Sequence, residues 1–251
     1  MVSLRVYAEL NDFVALDRRR REFDFGSAPS ASAKHIVEAI GVPHTEVELL
    51  LLNGEPVSFD ALPREGDRLA VYPRFASIDA AQFARLASLR GPLAQPPRFV
   101  ADAQLGALAR LLRMAGFDTR YDHRLDDGAI ERVAHAEGRA VLTRDRALLM
   151  RRDIVHGAYV RALQPRAQLR EVFERFDLAS TTRPFARCMQ CNGVVRPVSK
   201  AAVESALPER VRARHERFTR CEQCARVYWQ GSHWQRMRAM LDSLGAASQA
   251  R

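Results

Sequence analysis

Polar and apolar positions alternate over residues 2–10. Leu4, Val6, Ala8 and Leu10 fall on one side, and Arg5, Tyr7 and Glu9 on the other. A period of two sends successive side chains to opposite faces, so this segment is predicted as a half-buried strand. The run DRRRRE (17–22) reads as a charged, solvated hairpin tip, and Phe23 and Phe25 mark a second strand. Ser32 stands in the N-cap position of a helix carrying Ile36, Val37 and Ile40, with Gly41 as its stop and Pro43 beyond. VELLLL (47–52) is a third strand followed by the Asn53–Gly54 turn signal, and RLAVYP (68–73) is a fourth.

Two strands, a helix and two more strands in this order fit a small β-grasp, ubiquitin-like unit over residues 1–78. A short helical stretch over 80–89 leads into GPLAQPP (91–97). Three prolines and a glycine in seven residues prevent regular structure, so 79–97 is taken as a linker. From residue 98 the pattern changes to strands alternating with helices. RFVAD (98–102) is a short apolar strand ending in aspartate, followed at helical spacing by Leu105, Leu108, Leu111, Leu112 and Ala115, with Gly116 closing the helix. FDTRY (117–121), RAVLT (139–143) and a segment near 154–160 read as strands. A helix opening at Asp126 or Asp127 and another through Gln168, Leu169, Val172 and Phe173 complete the set. Such alternation predicts a parallel α/β sheet over 98–180. Residues 181–251 carry Cys188-x2-Cys191, a helical stretch over 200–218, Cys221-x2-Cys224, RVYW (226–229), GSHW (231–234) and a terminal helix through Met237 and Met240. The fold class is therefore α+β and α/β multidomain, with a third, cysteine-bearing part.

Composition adds charge to this picture. The chain has 251 residues, 39 basic and 30 acidic, net +9, and 47% apolar residues, which excludes a disordered chain. Residues 1–78 are net −3, residues 79–180 net +4 and residues 181–251 net +8. A basic C-terminal third fits a polyanionic partner, RNA or DNA being the usual one, although an Arg-rich solvated surface would look the same. No run of about 18 apolar residues exists, so no membrane span is expected. Arg5 and Glu9 interrupt the apolar run that a secretion signal needs, and the expected compartment is the cytoplasm.

All four cysteines fall into the two C-x-x-C pairs. Each pair turns two thiolates toward one ion, and two pairs complete a closed tetrahedral zinc site that holds a fold together. Disulfides or redox dithiols are the alternative, disfavoured in a cytosolic chain. Asp102 and Asp145 each follow an apolar strand, and Asp126 and Asp127 open the intervening helix. Carboxylates gathered at the carboxyl ends of parallel strands repel one another unless a divalent cation, Mg²⁺ or Mn²⁺, joins them. Such an ion polarises a phosphodiester and activates water, which is nuclease chemistry. The competing account is that each aspartate only caps the helix after it. Arg110, Arg113, Arg144 and Arg146 flank these acids and would grip phosphates or pair with the aspartates.

FVADAQLGALARLLRMAGFDT (99–119) resembles the opening of the Mut-seven C-terminal RNase domain, a branch of the PIN-like nucleases. VLTRDRALL (141–149) resembles its second signature, and RCMQCN (187–192) with CEQCARVYWQGSHW (221–234) resembles its zinc ribbon. GVPHTEVELLLLNG (41–54) and GDRLAVYPRF (66–75) are similar to the ubiquitin-like domain fused ahead of it in many bacterial proteins. The resemblance implies a central PIN-like domain, a C-terminal zinc ribbon and a metal-dependent ribonuclease. Asp102 and Asp145 match acidic ligands, and the Asp126–Asp127 pair matches the acid between them, Asp127 being favoured. A fourth acid has no clear match, with Asp153 and Glu171 nearest. The ubiquitin-like part lacks the Gly-Gly tail of a sulfur carrier, so docking to a protein partner or positioning of RNA is expected of it. His233 and Trp234 are expected RNA contacts. Trp229 and Trp234 would stack on bases or fill the ribbon core. The rival function is a non-catalytic RNA-binding or ribosome-associated adaptor stabilised by zinc.

Overall fold

The computed structural model describes residues 1–26, 28, 30–74 and 89–249. The helical stretch expected over 80–89 lies, apart from Leu89, outside the described residues. The N-terminal sheet comprises β1 (Val2–Val6), β2 (Glu22–Phe25), β3 (Leu49–Leu52), β4 (Glu55–Pro56) and β5 (Arg68–Tyr72), in the order β2-β1-β5-β3-β4. β1 and β5 run parallel with Leu4 beside Leu69, and the remaining pairs are antiparallel. α1 (Ala33–Ala39) crosses this sheet, started by Ser32, whose hydroxyl accepts the His35 N–H at 3.3 Å. Leu4, Leu10, Ile36, Leu50 and Leu69 are fully buried in the resulting core. Burial of each is worth roughly 1.5–3 kcal/mol. Asn53 and Gly54 both have positive φ, the twist that a two-residue hairpin between β3 and β4 demands.

The alternation of residues 2–10 continues one turn past the strand. β1 stops at Val6, and residues 8–12 form a 3-10 turn that still buries Leu10. The cause is Asn11. Its buried side-chain amide donates to the Val6 and Ala8 carbonyls at 2.9 and 3.0 Å and so turns the chain away from the sheet.

The central stretch follows in chain order: β6 (Phe99–Ala101), α2 (Gly106–Met114), β7 (Thr119–Arg120), α3 (Asp127–Glu137), β8 (Ala140–Thr143), α4 (Arg146–Leu149), β9 (Gly157–Tyr159) and α5 (Pro165–Phe176). β6 pairs with β7, and β8 with β9, both in parallel. The last part holds β10 (Val195–Val198), α6 (Glu209–Arg214), β11 (Phe218–Cys221), β12 (Val227–Trp229) and α7 (Ser232–Gln249). β10, β11 and β12 form an antiparallel sheet in that order. The helix expected over 200–218 shrinks to α6, and GSHW belongs largely to the first turn of α7.

The chain forms two compact units, Met1–Leu93 with Asp127–Tyr159, and Ala94–Asp126 with Val160–Arg251. In the first, residues 44–46 of the β-grasp part meet β9. The Tyr159 N–H donates to the Glu46 carboxylate at 2.9 Å. His44 bridges the Glu38 carboxylate at 2.7 Å and the Ile154 carbonyl at 2.8 Å, and Phe13 meets Tyr159 edge to face. In the second unit α2 packs on α5, and Leu108, Leu112, Leu169 and Phe173 of these helices are buried. Phe99 lies edge-on to Phe117 and Phe176, and Phe117 edge-on to Phe173.

Candidate functional site

The four cysteines converge. Their sulfurs all lie within 4.8 Å of one another, the closest approaches joining Cys188 to Cys224 at 3.6 Å and Cys191 to Cys221 at 3.4 Å. All four are free thiols. A Zn–S bond of about 2.3 Å in a tetrahedron places neighbouring sulfurs about 3.8 Å apart, so this donor set fits a metal ion such as zinc. Each knuckle ends on a residue in the left-handed region, Asn192 and Ala225. There the amide turns back to the carbonyl of the first cysteine, at 2.9 and 3.1 Å. The Gln223 and Cys224 N–H groups point at the Cys221 sulfur at 3.4 and 3.5 Å. Burial pushes the Cys188 thiol up, but the Tyr228 hydroxyl at 3.0 Å and the Gln190 and Cys191 amides outweigh it and bring it down to about 6. Burial pushes the Cys191 thiol up to about 12.

The sheet beside these thiols has little core of its own. Val203, Leu207 and Phe218 are buried there, with Val198, Val211, Val227 and Trp229 packed around them. A core this small calls for a metal staple. The first knuckle is also tied to α2 and β7. Arg113, 4% exposed, donates to the Thr119, Met189 and Gln190 carbonyls at 2.9, 3.3 and 2.9 Å. Burial lowers its guanidinium pKa. Asn192 accepts the Thr119 N–H at 3.0 Å and donates to Asp118 at 2.7 Å. The phosphate contact expected of Arg113 is corrected here: a buried guanidinium committed to three carbonyls holds the knuckle in place.

The aspartates occupy the strand-end and helix-start positions read from the sequence. Asp102 directly follows β6, half-buried, and its carboxylate accepts the Ala103 N–H at 2.5 Å. Asp145 follows β8 within two residues, half-buried, and accepts the Ala147 N–H at 2.7 Å, starting α4. Its own N–H donates to the buried Thr143 hydroxyl at 2.9 Å. Asp127 is the exposed first residue of α3, and Asp126 is exposed just before it. Both accounts of the acids thus keep a footing. Asp102 and Asp145 do cap, yet a carboxylate has two oxygens and about four acceptor positions, so capping alone does not preclude a cation. Glu171 is spent on a loop, accepting the Arg161 and Ala162 N–H groups at 2.9 Å each. Asp153 is exposed.

Arg110 is exposed, Arg144 is half-buried, and Arg146 is exposed with one nitrogen donating to the Phe13 carbonyl at 3.1 Å. His233 is exposed in the first turn of α7, and beside it Trp234 lies tilted on Phe185, ring centres 5.2 Å apart. Sequence reasoning missed Arg113 as a clamp and Asn192 and Tyr228 as supports of the thiols. The left-handed turn after the second cysteine of each C-x-x-C was the available signal for Asn192.

Among the described residues no helix is long and apolar enough to cross a membrane. The N-terminal sheet, the parallel-paired central strands with their helices, and the cysteine cluster are the three parts expected from the sequence. The family model for the Mut7-C RNAse domain matches residues 97–241, and that for Mut7-C ubiquitin matches residues 1–79. No curated protein and no solved structure matches the chain. With more than half its length so matched, the chain belongs to the Mut7-C RNAse domain family and carries a Mut7-C ubiquitin module ahead of that domain.

Proposed function

We propose that this chain is a cytoplasmic, metal-dependent ribonuclease that hydrolyses RNA phosphodiester bonds. Its layout is a β-grasp module over 1–78, a linker over 79–97, a PIN-like region over 98–180 and a zinc ribbon with a basic helix over 181–251. The observation that carries the reading is the position of two acids inside the matched RNAse region. Asp102 comes one residue after β6, and Asp145 two after β8, each at the carboxyl end of a parallel-paired strand, where open α/β sheets keep their working groups. Asp102, Asp127 and Asp145, with Asp126 adjacent, would supply hard oxygen ligands to Mg²⁺ or Mn²⁺. A bound ion of this kind supplies Lewis-acid stabilisation and a more acidic water. The protein's own part is to fix the carboxylates, and the caps to Ala103 and Ala147 restrict the rotamers of Asp102 and Asp145. Cys188, Cys191, Cys221 and Cys224 would hold Zn²⁺ in a structural role, with no coordination position left for a substrate.

Asparagine caps a helix about as well as aspartate, so Asp102→Asn and Asp145→Asn remove a charge and keep the amide acceptor. Each should stay within about 0.5 kcal/mol of the parent in stability. Each should also cut Mn²⁺-dependent RNA cleavage by about 100-fold or more, the usual worth of one electrostatic group at a reacting phosphate. Retained cleavage in the double variant refutes the assignment.

A second reading draws on the same caps: a non-catalytic, RNA-binding or ribosome-associated adaptor whose aspartates only start helices. Titration of Mn²⁺ into the zinc-loaded chain separates the two. Binding that disappears in Asp145→Asn supports the ribonuclease, and no binding supports the adaptor.

A further inference from the structure

A groove of about 930 Å³ runs along the cysteine-bearing part, lined entirely by residues between 184 and 238. Its charge is one-sided. Arg187, Arg217, Arg226 and Arg238 line it, and among the described residues no aspartate or glutamate does. Arg187 is paired with Asp118 at 3.3 Å and Arg238 with Asp242 at 2.9 Å. Arg217 and Arg226 are exposed and make no ion pair among the described residues. The chain's two tryptophans, Trp229 and Trp234, both line the same groove. Each is half-buried and backed by packing, Trp229 by the small core around Phe218 and Trp234 by Phe185. A ring held from behind and open in front is a rigid stacking platform. None of the four aspartates lines the groove.

We infer that this groove binds a short run of single-stranded RNA, its bases stacked on Trp229 and Trp234 and its phosphates met by Arg217 and Arg226. Indole faces beside unpaired guanidiniums suit a chain that alternates flat bases with anions. An acidic peptide would use the arginines but offers nothing for two indoles. A duplex hides its base faces, so it can use only the charge. The volume sits at the upper end of the roughly 300–1,000 Å³ of small-ligand sites, which suits a few linked nucleotides better than one. The inference rests on the ribonuclease reading for its choice of RNA, and deepens it by naming an unpaired strand as the substrate class.

Because both tryptophans lie in the groove, intrinsic fluorescence of the full, zinc-loaded chain reports its occupancy directly. The titrant is a single-stranded 12-nucleotide RNA without Mg²⁺ or Mn²⁺, compared with its duplex. Single strands should quench the emission and bind at least 10-fold tighter than the duplex. Arg217→Gln with Arg226→Gln, both surface changes, should weaken binding at least 10-fold and lower the salt slope by about 1.4, as two lost single-strand phosphate contacts require. Trp229→Ala, checked for one zinc per chain and an unchanged thermal midpoint, should weaken binding about 10-fold with the slope retained. Should Trp229→Ala misfold, quenching of Trp229 in a Trp234→Phe variant reports the same platform. Equal binding of strand and duplex, no quenching, or unaltered affinity in the double arginine variant overturns the inference. Cleavage with Mn²⁺ is read separately. If it proceeds while the groove variants bind normally, the groove falls and the ribonuclease stands. If strands bind in the groove and no cleavage occurs, the groove stands alone.

Discussion

Arg113 shows how much one side chain can be asked to do. Its guanidinium satisfies carbonyls from residues 119, 189 and 190, and so couples α2 to the first cysteine knuckle. Arg113→Met keeps the aliphatic bulk and strands three acceptors. Unsatisfied buried acceptors cost about 1–3 kcal/mol each, so a loss of at least about 3 kcal/mol is expected. Supports behind metal ligands are commonly worth about 10–100-fold in affinity, and zinc binding should weaken by that order. Urea unfolding and competition with a chromogenic chelator measure both, and a variant unchanged in each would make the clamp a spectator. The sequence placed Arg110 and Arg113 together as phosphate contacts. Position 113 lies one helical turn beyond the buried Ala109, on the arc facing the core, so its burial was legible in the period. Its partners were not, because two of them come more than 70 residues later. The cysteines were legible in full, since the spacing is itself the ligand geometry.

Elements were read well where local chemistry and packing agree, and misread where a tertiary partner decides. Val203, Leu207, Val211 and Phe218 have nearly helical spacing, yet the segment breaks into a 3-10 turn at Glu204–Ala206 and a short α-helix at Glu209–Arg214. Pro208 lacks the N–H that a continuous helix would need, and the ribbon core is filled instead from a turn, a loop and β11. β10 carries Pro197, a residue that reads against a strand, but β10 is an edge strand of its sheet and tolerates it. Gly116, by contrast, stops α2 as its place after the last apolar position predicts. Its φ is +100°, and a Cβ there would stand 2.1 Å from the Arg183 carbonyl oxygen, a backbone atom that is not free to move aside. Gly138, after α3, has φ +59° and open space around the same position. Gly138→Ala should therefore cost about 1 kcal/mol, the left-handed penalty alone. Gly116→Ala should cost clearly more, on the order of 3 kcal/mol, by adding a clash of the overpacking kind. Thermal unfolding of the pair checks the ordering, and equal costs would mean that residues 183–185 yield without penalty.

The two compact units do not follow the sequence order of the three parts, since the β-grasp module shares one with residues 127–159. The amphipathic periods that reveal each strand and helix carry no information about which helix or strand a distant loop will meet. The contacts of Glu46 and His44 with Tyr159 and Ile154 span more than 100 residues. Zinc removal tests how far the units act separately. Around the ribbon sheet, three apolar residues are buried among the described residues, beside four sulfurs that could hold a metal; binding a structural zinc is worth about 10–16 kcal/mol in small zinc modules. That is comparable to the whole stability of a typical domain, about 5–15 kcal/mol. Stripping the metal should open β10, β11 and β12 to amide exchange, and the loss should travel further along one route. The Thr119 N–H bonds to Asn192, and Arg113 grips the Met189 and Gln190 carbonyls, so α2 and β7 should lose protection next. β1 and β5 are held by a core that includes no residue of the ribbon, and should keep theirs. Exchange mass spectrometry before and after verified loss of zinc reads all three regions at once. Unchanged protection in β11 would show that thiols and core suffice without metal. Equal loss in β1 would show that the two units unfold as one, making the zinc a staple for the whole chain and not for the ribbon alone.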